Sequence, residues 1–182
     1  MPRPAHRFAD WTASLASDVN QTFELLTHPS ITPAGRRTLC GTLSLLVTHH
    51  DLIADDSVAG FVDDAMVLRI GYSLAAPHAT LTDPALKTFF DRLRKDENEI
   101  GAFLGGTLTT KLRNYVERLG QKSAHGRTPD QILSDDSARA ALKKDIDQAL
   151  TKLHPMKLAD DHTCDEVEAI VKDSLAAKLE RY

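Results

Sequence analysis

Apolar side chains recur at steps of three or four residues along almost the whole chain. The first such stripe comprises Phe8, Trp11, Leu15, Val19, Phe23 and Leu26. This spacing places the apolar side chains on one face of an α-helix. No segment alternates apolar and polar residues as a half-buried strand does, and no internal repeat is present. The sequence therefore predicts an all-α bundle of about seven helices.

Residue patterns that favour helix starts precede three of these stripes. Thr32-Pro33 and Asp83-Pro84 each combine an N-capping side chain with a proline that suits the first helical turn. Thr163 and Glu166 form the pattern of a capping box ahead of the last stripe. These patterns predict where three of the helices begin.

A polar segment with two glycines, residues 120–130, is the best candidate for a linker. It separates a predicted helical body, residues 1–122, from a predicted C-terminal helical pair, residues 128–182. Within the body, the second and third helices, joined by a turn around Ser57 to Gly60, are expected to form a short central helical hairpin. The sequence leaves open whether the C-terminal pair packs on the body.

The composition excludes several classes of protein. Aromatic residues make up 5% of the chain and the formal net charge is −4, which argues against a stacking platform for single-stranded nucleic acid. No apolar run approaches the roughly 18 to 20 residues that span a bilayer, and the first residues lack the apolar core of a secretory signal. Cys40 and Cys164 form no CxxC pair, so neither a cysteine-based zinc site nor a disulfide framework is expected. A cytoplasmic location is the default expectation.

The segment HHDLIADDSVAGFVDD, residues 49–64, holds two histidines and five aspartates without a lysine or arginine. If the second helix continues into this segment, Asp51 and Asp55 share one of its faces. Clustered carboxylates suit Mg²⁺ or Mn²⁺, and a histidine, His49 or His50, favours Mn²⁺. The candidate ligands for a divalent cation are His50, Asp51, Asp55, Asp63 and Asp64.

A purely structural interpretation of the same segment is also open, and the residues favour it. Aspartate stabilises helix N-termini, so Asp55, Asp56 or Ser57 would cap the third helix. Asp63 and Asp64 would then be solvated near its first turns. His50 occupies an apolar-stripe position, which is more typical of a core histidine than of a metal ligand.

The stretch DLIADDSVAGFVDDAMVL, residues 51–68, resembles the signature of the YkvA-like family, known as domain of unknown function 1232. The positions that match are Asp51, Leu52, Ile53, Asp55, Gly60, Asp63 and Asp64. Ala54 stands where the family has proline, His49 stands near another usual proline, and the turn is one residue short. The resemblance covers about residues 36–76. It implies a small helical hairpin, often found in membrane-associated bacterial proteins, with no established chemistry.

A second stretch, LSLLVTHHDLIAD, resembles the helix that carries the His-Asp pair of HD-type metal phosphohydrolases. The resemblance implies His28 as an upstream ligand, with His50 and Asp51 as the pair and a later aspartate as the last ligand. A metal-activated water would then attack a phosphoester. The glycine and basic residue that usually follow the pair are absent, as is an obvious last aspartate.

Five basic residues cluster between residues 111 and 127, and they are Lys111, Arg113, Arg118, Lys122 and Arg127. They could form a phosphate-binding strip, but they also suit the solvated side and the C-terminal end of a helix. The negative net charge makes nucleic-acid binding the less favoured use, with docking to an acidic protein surface as an alternative. The sequence contains no GxxxxGK[ST] loop, GxSxG elbow or HExxH motif.

Together, these patterns predict a bacterial-type helical interaction or accessory module with an unidentified protein partner. No cofactor is required by the sequence, and Mg²⁺ or Mn²⁺ at the acidic turn is the one candidate. Whether the chain is an enzyme stays open. The alternative is a metal-dependent phosphohydrolase that uses His28, His50, Asp51 and neighbouring aspartates.

Overall fold

The computed structural model describes residues 3–48, 51–154 and 156–182. In these residues the helices are α1 (Pro4–Leu25), α2 (Pro33–Leu45), α3 (Val62–Ala75), α4 (Pro84–Leu104), α5 (Gly106–Leu119), α6 (Pro129–Ser134), α7 (Asp136–Leu150) and α8 (Asp161–Lys178). A short 3₁₀ turn, Ala76–His78, follows α3, and no β-strand occurs in these ranges. The all-α prediction is confirmed. There is one helix more than predicted, because α6 and α7 are separate.

The caps at two of the three predicted helix starts are confirmed. Thr32 caps α2 by accepting a hydrogen bond from the amide of Gly35, and Asp83 caps α4 by accepting one from the amide of Ala85 at 2.7 Å. The predicted cap of α8 is wrong. Asp160 caps this helix, since its carboxylate accepts hydrogen bonds from both the amide and the hydroxyl of Thr163 at 2.8 and 2.9 Å.

Helix α3 lies at the centre of the bundle, in contact with α1, α2, α4 and α5. Of its fourteen residues only Ser73 and Leu74 are not fully buried. A helix surrounded in this way has no solvated face, so any charged residue on it needs partners within the protein.

One charged residue of α3, Arg69, has such partners. Its side chain is 1% exposed, and its Nε atom donates a hydrogen bond to Asp96 of α4 at 2.8 Å. Its Nη2 atom lies 3.5 Å from Asp18 of α1, and its guanidinium lies 5.0 Å from the centre of the Trp11 ring. Burial lowers the pKa of Arg69, while both aspartates raise it. This ion-pair network joins α1, α3 and α4.

The helices of the predicted C-terminal pair pack mainly on different helices. Helix α6 packs on α2 and α7 packs on α6, whereas α8 packs on α1 and α5. Ion pairs accompany both arrangements, since Arg37 of α2 contacts Asp130 at 2.6 Å and Arg3 contacts Asp161 at 3.0 Å. Buried residues from both sides of residues 120–130 belong to the same hydrophobic core.

Helices α2 and α5 approach each other closely at Gly41. A Cβ atom at this position would lie 2.4 Å from the amide nitrogen of Gly120 and 2.5 Å from the carbonyl carbon of Leu119. Both contacts are with backbone atoms, which cannot move aside as a flexible side chain can. The glycine is therefore required by the packing of α2 on α5.

We predict that Gly41→Ala lowers the free energy of unfolding by about 1 to 3 kcal/mol, because the added methyl group forces the two helices apart. Gly101→Ala is the matched control: it also lies in a helix, but its Cβ would meet Thr109 at 3.9 Å. That change is expected to leave stability unchanged or to raise it by up to about 1 kcal/mol, since alanine favours helix. Urea denaturation measures both, and equal effects at the two positions would contradict the assigned close approach.

Candidate functional site

The structure describes residues 51–64 of the acidic segment, which are called the acidic loop below; they comprise the turns that precede α3 and its first three residues. Helix α2 ends at Leu45, so the prediction that it continues into the acidic segment is wrong. The carboxylate of Asp63 accepts hydrogen bonds from the amides of Leu52 and Ile53, at 2.8 and 3.1 Å. These amides are therefore not available to a helix. The sequence had suggested that Asp51 and Asp55 share a helix face if α2 continued this far. In the structure they do not.

The start of α3 also differs from expectation. Its N-cap residue is Phe61, whose φ of 65° is in the left-handed region, so the predicted capping by Asp55, Asp56 or Ser57 is wrong. Asp63 and Asp64 lie in the first turn, as predicted. They are not solvated, however, because Asp63 is 1% exposed and Asp64 is 5% exposed.

Burial dominates the protonation of both carboxyl groups. It raises the pKa of Asp63 to about 7, although the amides of Ile53 and Leu52 lower it, and the charge of Asp51 raises it further. Burial also raises the pKa of Asp64 well above its ordinary value, with added contributions from the charges of Asp63, Asp51 and Asp55. The structure thus brings the four predicted aspartates within electrostatic range of one another.

Each of the two buried carboxyl groups keeps one oxygen without a hydrogen-bond partner among the described residues. These atoms are Oδ1 of Asp63 and Oδ1 of Asp64. Among all the described residues, no group of three or more histidine, cysteine, aspartate or glutamate side chains is arranged to hold a metal ion. His49 and His50 lie outside the described residues. The site therefore offers two buried carboxylate oxygens and not a complete coordination shell, and the metal site stays a prediction.

Two pockets flank the acidic loop, and Asp51 lines both. One has a volume of about 200 Å³ and lies against α7, where Asp55, His125 and Asp145 also line it. The other has a volume of about 180 Å³ and lies against α5 and the residues after α8. This second pocket is called the basic pocket below; it is also lined by Leu52, Tyr115, Lys122, Lys178, Arg181 and Tyr182.

Two residues of the HD-type interpretation that the structure describes, His28 and Asp51, are not brought together. His28 lies before α2, where its Nδ1 atom accepts a hydrogen bond from the amide of Ser30 and its carbonyl accepts one from Arg36. Asp51 lies beyond the other end of α2, a helix of thirteen residues and thus about 20 Å long. His28 therefore cannot share a metal ion with Asp51 in this fold.

The five basic residues of the predicted strip point to different partners. Arg113 forms an ion pair with Glu97 of α4, and Arg127 forms one with Asp145 of α7. Lys111 donates a hydrogen bond to the carbonyl of Glu180 at 3.1 Å. The five side chains thus do not form one continuous strip of unpaired charges.

Arg118 and Lys122, the remaining two residues of the strip, lie beside Tyr182. Lys178 and Arg181 line the same pocket as Lys122, and neither belongs to the predicted basic strip. Their only sequence signal is basic charge at the end of a helix, which the helix dipole explains equally well. Their proximity to Lys122 depends on the packing of α8 on α5.

Comparison of the chain with protein-family models, with curated proteins and with solved structures finds no match. Within the described ranges, none of the helices has both the length and the apolar character needed to cross a membrane.

The raised pKa of Asp63 makes stability depend on pH when no divalent cation is present. The folded state holds this proton up to about pH 7, whereas the unfolded state releases it near the ordinary value of 3.8. The stabilisation of the folded state by this proton is therefore complete below pH 4 and is lost as the pH rises through 7.

We predict that, in a chelator, the stability of the wild type relative to Asp63→Asn falls by on the order of 2 kcal/mol between pH 5 and pH 8. Asparagine keeps an oxygen that can accept the two amide hydrogen bonds but carries no charge. Urea denaturation at both pH values measures the difference, and titrating groups that do not interact with Asp63 cancel in it. Asp56→Asn, at an exposed position of the same loop, is expected to show no such trend. A relative stability that rises with pH would refute the prediction.

Proposed function

We propose that the chain is a helical interaction or accessory module without catalysis of its own, whose acidic loop binds one divalent cation, Mg²⁺ or Mn²⁺. The observation that carries this proposal is the pair of adjacent buried carboxyl groups at the start of α3. Asp63 and Asp64 each keep a buried Oδ1 atom without a partner among the described residues.

The physical argument is one of uncompensated charge. A buried carboxylate without a partner is unfavourable, and two that lie side by side also repel each other. A proton on each group removes the charge but leaves oxygen atoms unpaired. A single divalent cation neutralises both groups and contacts both unpaired oxygens at once.

The ligand chemistry fits Mg²⁺ or Mn²⁺, which prefer oxygen ligands. Mg²⁺ is commonly held by one or two carboxylates and keeps several of its waters, so an incomplete protein shell is compatible with this ion. Asp51, which is half buried, and Asp55, which is exposed, lie on the solvent side of the pair and add negative charge there.

The same proposal includes the YkvA-like nature of residues 36–76. Three of the matching positions depend on one another: the side chains of Leu52 and Ile53 are buried in the core, and their amides bind the carboxylate of Asp63. This dependence supports the view that the matching residues form a structural unit. A cytoplasmic location and an unidentified protein partner complete the proposal.

The decisive experiment is a thermal melt at pH 7.5 of protein freed of metal with a chelator, repeated with millimolar Mg²⁺, Mn²⁺ or Ca²⁺. Binding to the folded state alone raises the melting temperature, by several degrees when the cation is about 100-fold above its Kd. We predict such a rise for the wild type and for Asp56→Asn, and its loss in Asp64→Asn.

The alternative, a protonated pair with no cation, predicts a different result. Asp64→Asn would then melt higher than the wild type at pH 7.5, and no ion would change either melting temperature. That outcome would eliminate the proposed cation site. An equal rise in the wild type and in Asp64→Asn would place the cation elsewhere and would equally refute the proposal.

A further inference from the structure

The basic pocket lies beside the acidic loop and has the opposite charge. Lys122 reaches it from the end of α5, and Lys178 and Arg181 reach it from the end of α8. Tyr115, which is buried, lines it from the side of the core, and Asp51 lines the edge that it shares with the acidic loop.

The basic side chains at this pocket share one property, which is that they form no ion pair with a carboxylate among the described residues. Most arginines in the described ranges are in ion pairs with aspartate or glutamate, as Arg69 and Arg113 are. In the same ranges, no ion pair is formed by Lys122, Lys178 or Arg181, nor by the neighbouring Arg118. Four basic side chains without an ion pair thus lie in or beside one small pocket.

These charges gather around one aromatic side chain, Tyr182. Arg118 and Arg181 lie 5.1 and 5.4 Å from the centre of its ring, and Lys122 donates a hydrogen bond to its hydroxyl at 3.4 Å. Burial raises the pKa of Tyr182, but the hydrogen bond and charge of Lys122 and the charge of Arg181 lower it overall. Because like charges repel, an anion bound between these basic side chains would be favourable.

The size and the donors of the pocket select the kind of anion. Its volume of about 180 Å³ lies below the roughly 300 to 1,000 Å³ of pockets that enclose a whole drug-sized ligand. A phosphate group has several strong acceptor oxygens and carries up to two charges, which matches a pocket with three basic side chains and two tyrosines better than a single carboxylate does.

We infer that the basic pocket binds the phosphate group of a small phosphorylated ligand, with Lys122, Lys178 and Arg181 as its ion-pair partners. Because Asp51 belongs to the acidic loop and also lines this pocket, the ligand is bound as a complex with the divalent cation. This second element rests on the proposed function, whereas the phosphate site stands on the pocket alone.

Isothermal titration calorimetry with inorganic phosphate and with pyrophosphate tests the inference, at constant ionic strength, first in chelator and then with Mg²⁺. The test variant is Lys178→Ala/Arg181→Ala, in which both changed residues are exposed. The matched control is Lys144→Ala/Lys157→Ala, which removes the same charge at two exposed positions away from the pocket.

We expect the wild type and the control variant to bind at least one of these anions, and the test variant to bind it at least about tenfold more weakly. Equal losses in the two variants would show only a general charge effect and would overturn the inference. If neither phosphate nor pyrophosphate binds, the protein is tested with vesicles. The inference is then overturned unless vesicles containing phosphatidic acid bind and phosphatidylcholine vesicles do not. In that case the phosphate group belongs to a lipid headgroup.

The metal dependence separates this inference from the proposed function. Tighter binding in Mg²⁺ that Asp64→Asn loses supports both. Binding that is the same in chelator and in Mg²⁺ supports the phosphate site and counts against the cation. A cation-dependent melting temperature without binding of any phosphate probe supports the cation and overturns the phosphate site.

Discussion

The structure depends on how a helix buried on all sides accommodates charged side chains. Helix α3 contacts four other helices, and it carries Asp63, Asp64 and Arg69 in surroundings where an isolated charge is unfavourable. Arg69 is compensated by Asp18 and Asp96, which lie on two different helices. The charge of Arg69 thus specifies how α1 and α4 are placed, in addition to the apolar packing around it.

The acidic side chains at the start of α3 have fewer partners than Arg69 has. Asp63 receives two amide hydrogen bonds, which hold the preceding loop against the start of α3. One oxygen of Asp63 and one of Asp64 nevertheless stay unpaired among the described residues. Groups of this kind are retained in stable folds mainly where they have a function, and this directs attention to the acidic loop and not to the fully paired network at Arg69.

The sequence predicted what is local and missed what depends on contacts between distant residues. Helical periodicity and the caps Thr32 and Asp83 are short-range signals, and they were sufficient for the fold class and for the starts of α2 and α4. Ile53 also fits the spacing of α2, so periodicity could not show that the helix ends at Leu45. The contact that holds this loop, between Asp63 and the amides of Leu52 and Ile53, spans ten or eleven residues and has no periodic signature.

Lys178 and Arg181 lie near Lys122 only because α8 packs on α5. This proximity also depends on contacts between distant residues, so the sequence alone could not predict it. It leaves an acidic loop and a basic pocket side by side, because Asp51 belongs to the loop and lines the pocket. In the absence of a cation, the aspartates oppose the entry of an anion into the pocket. A cation on the loop would remove this repulsion, and by thermodynamic linkage an anion in the pocket would strengthen cation binding by the same factor. Under the two proposals, two sites that would each be weak alone would therefore act as one site for a metal–phosphate complex.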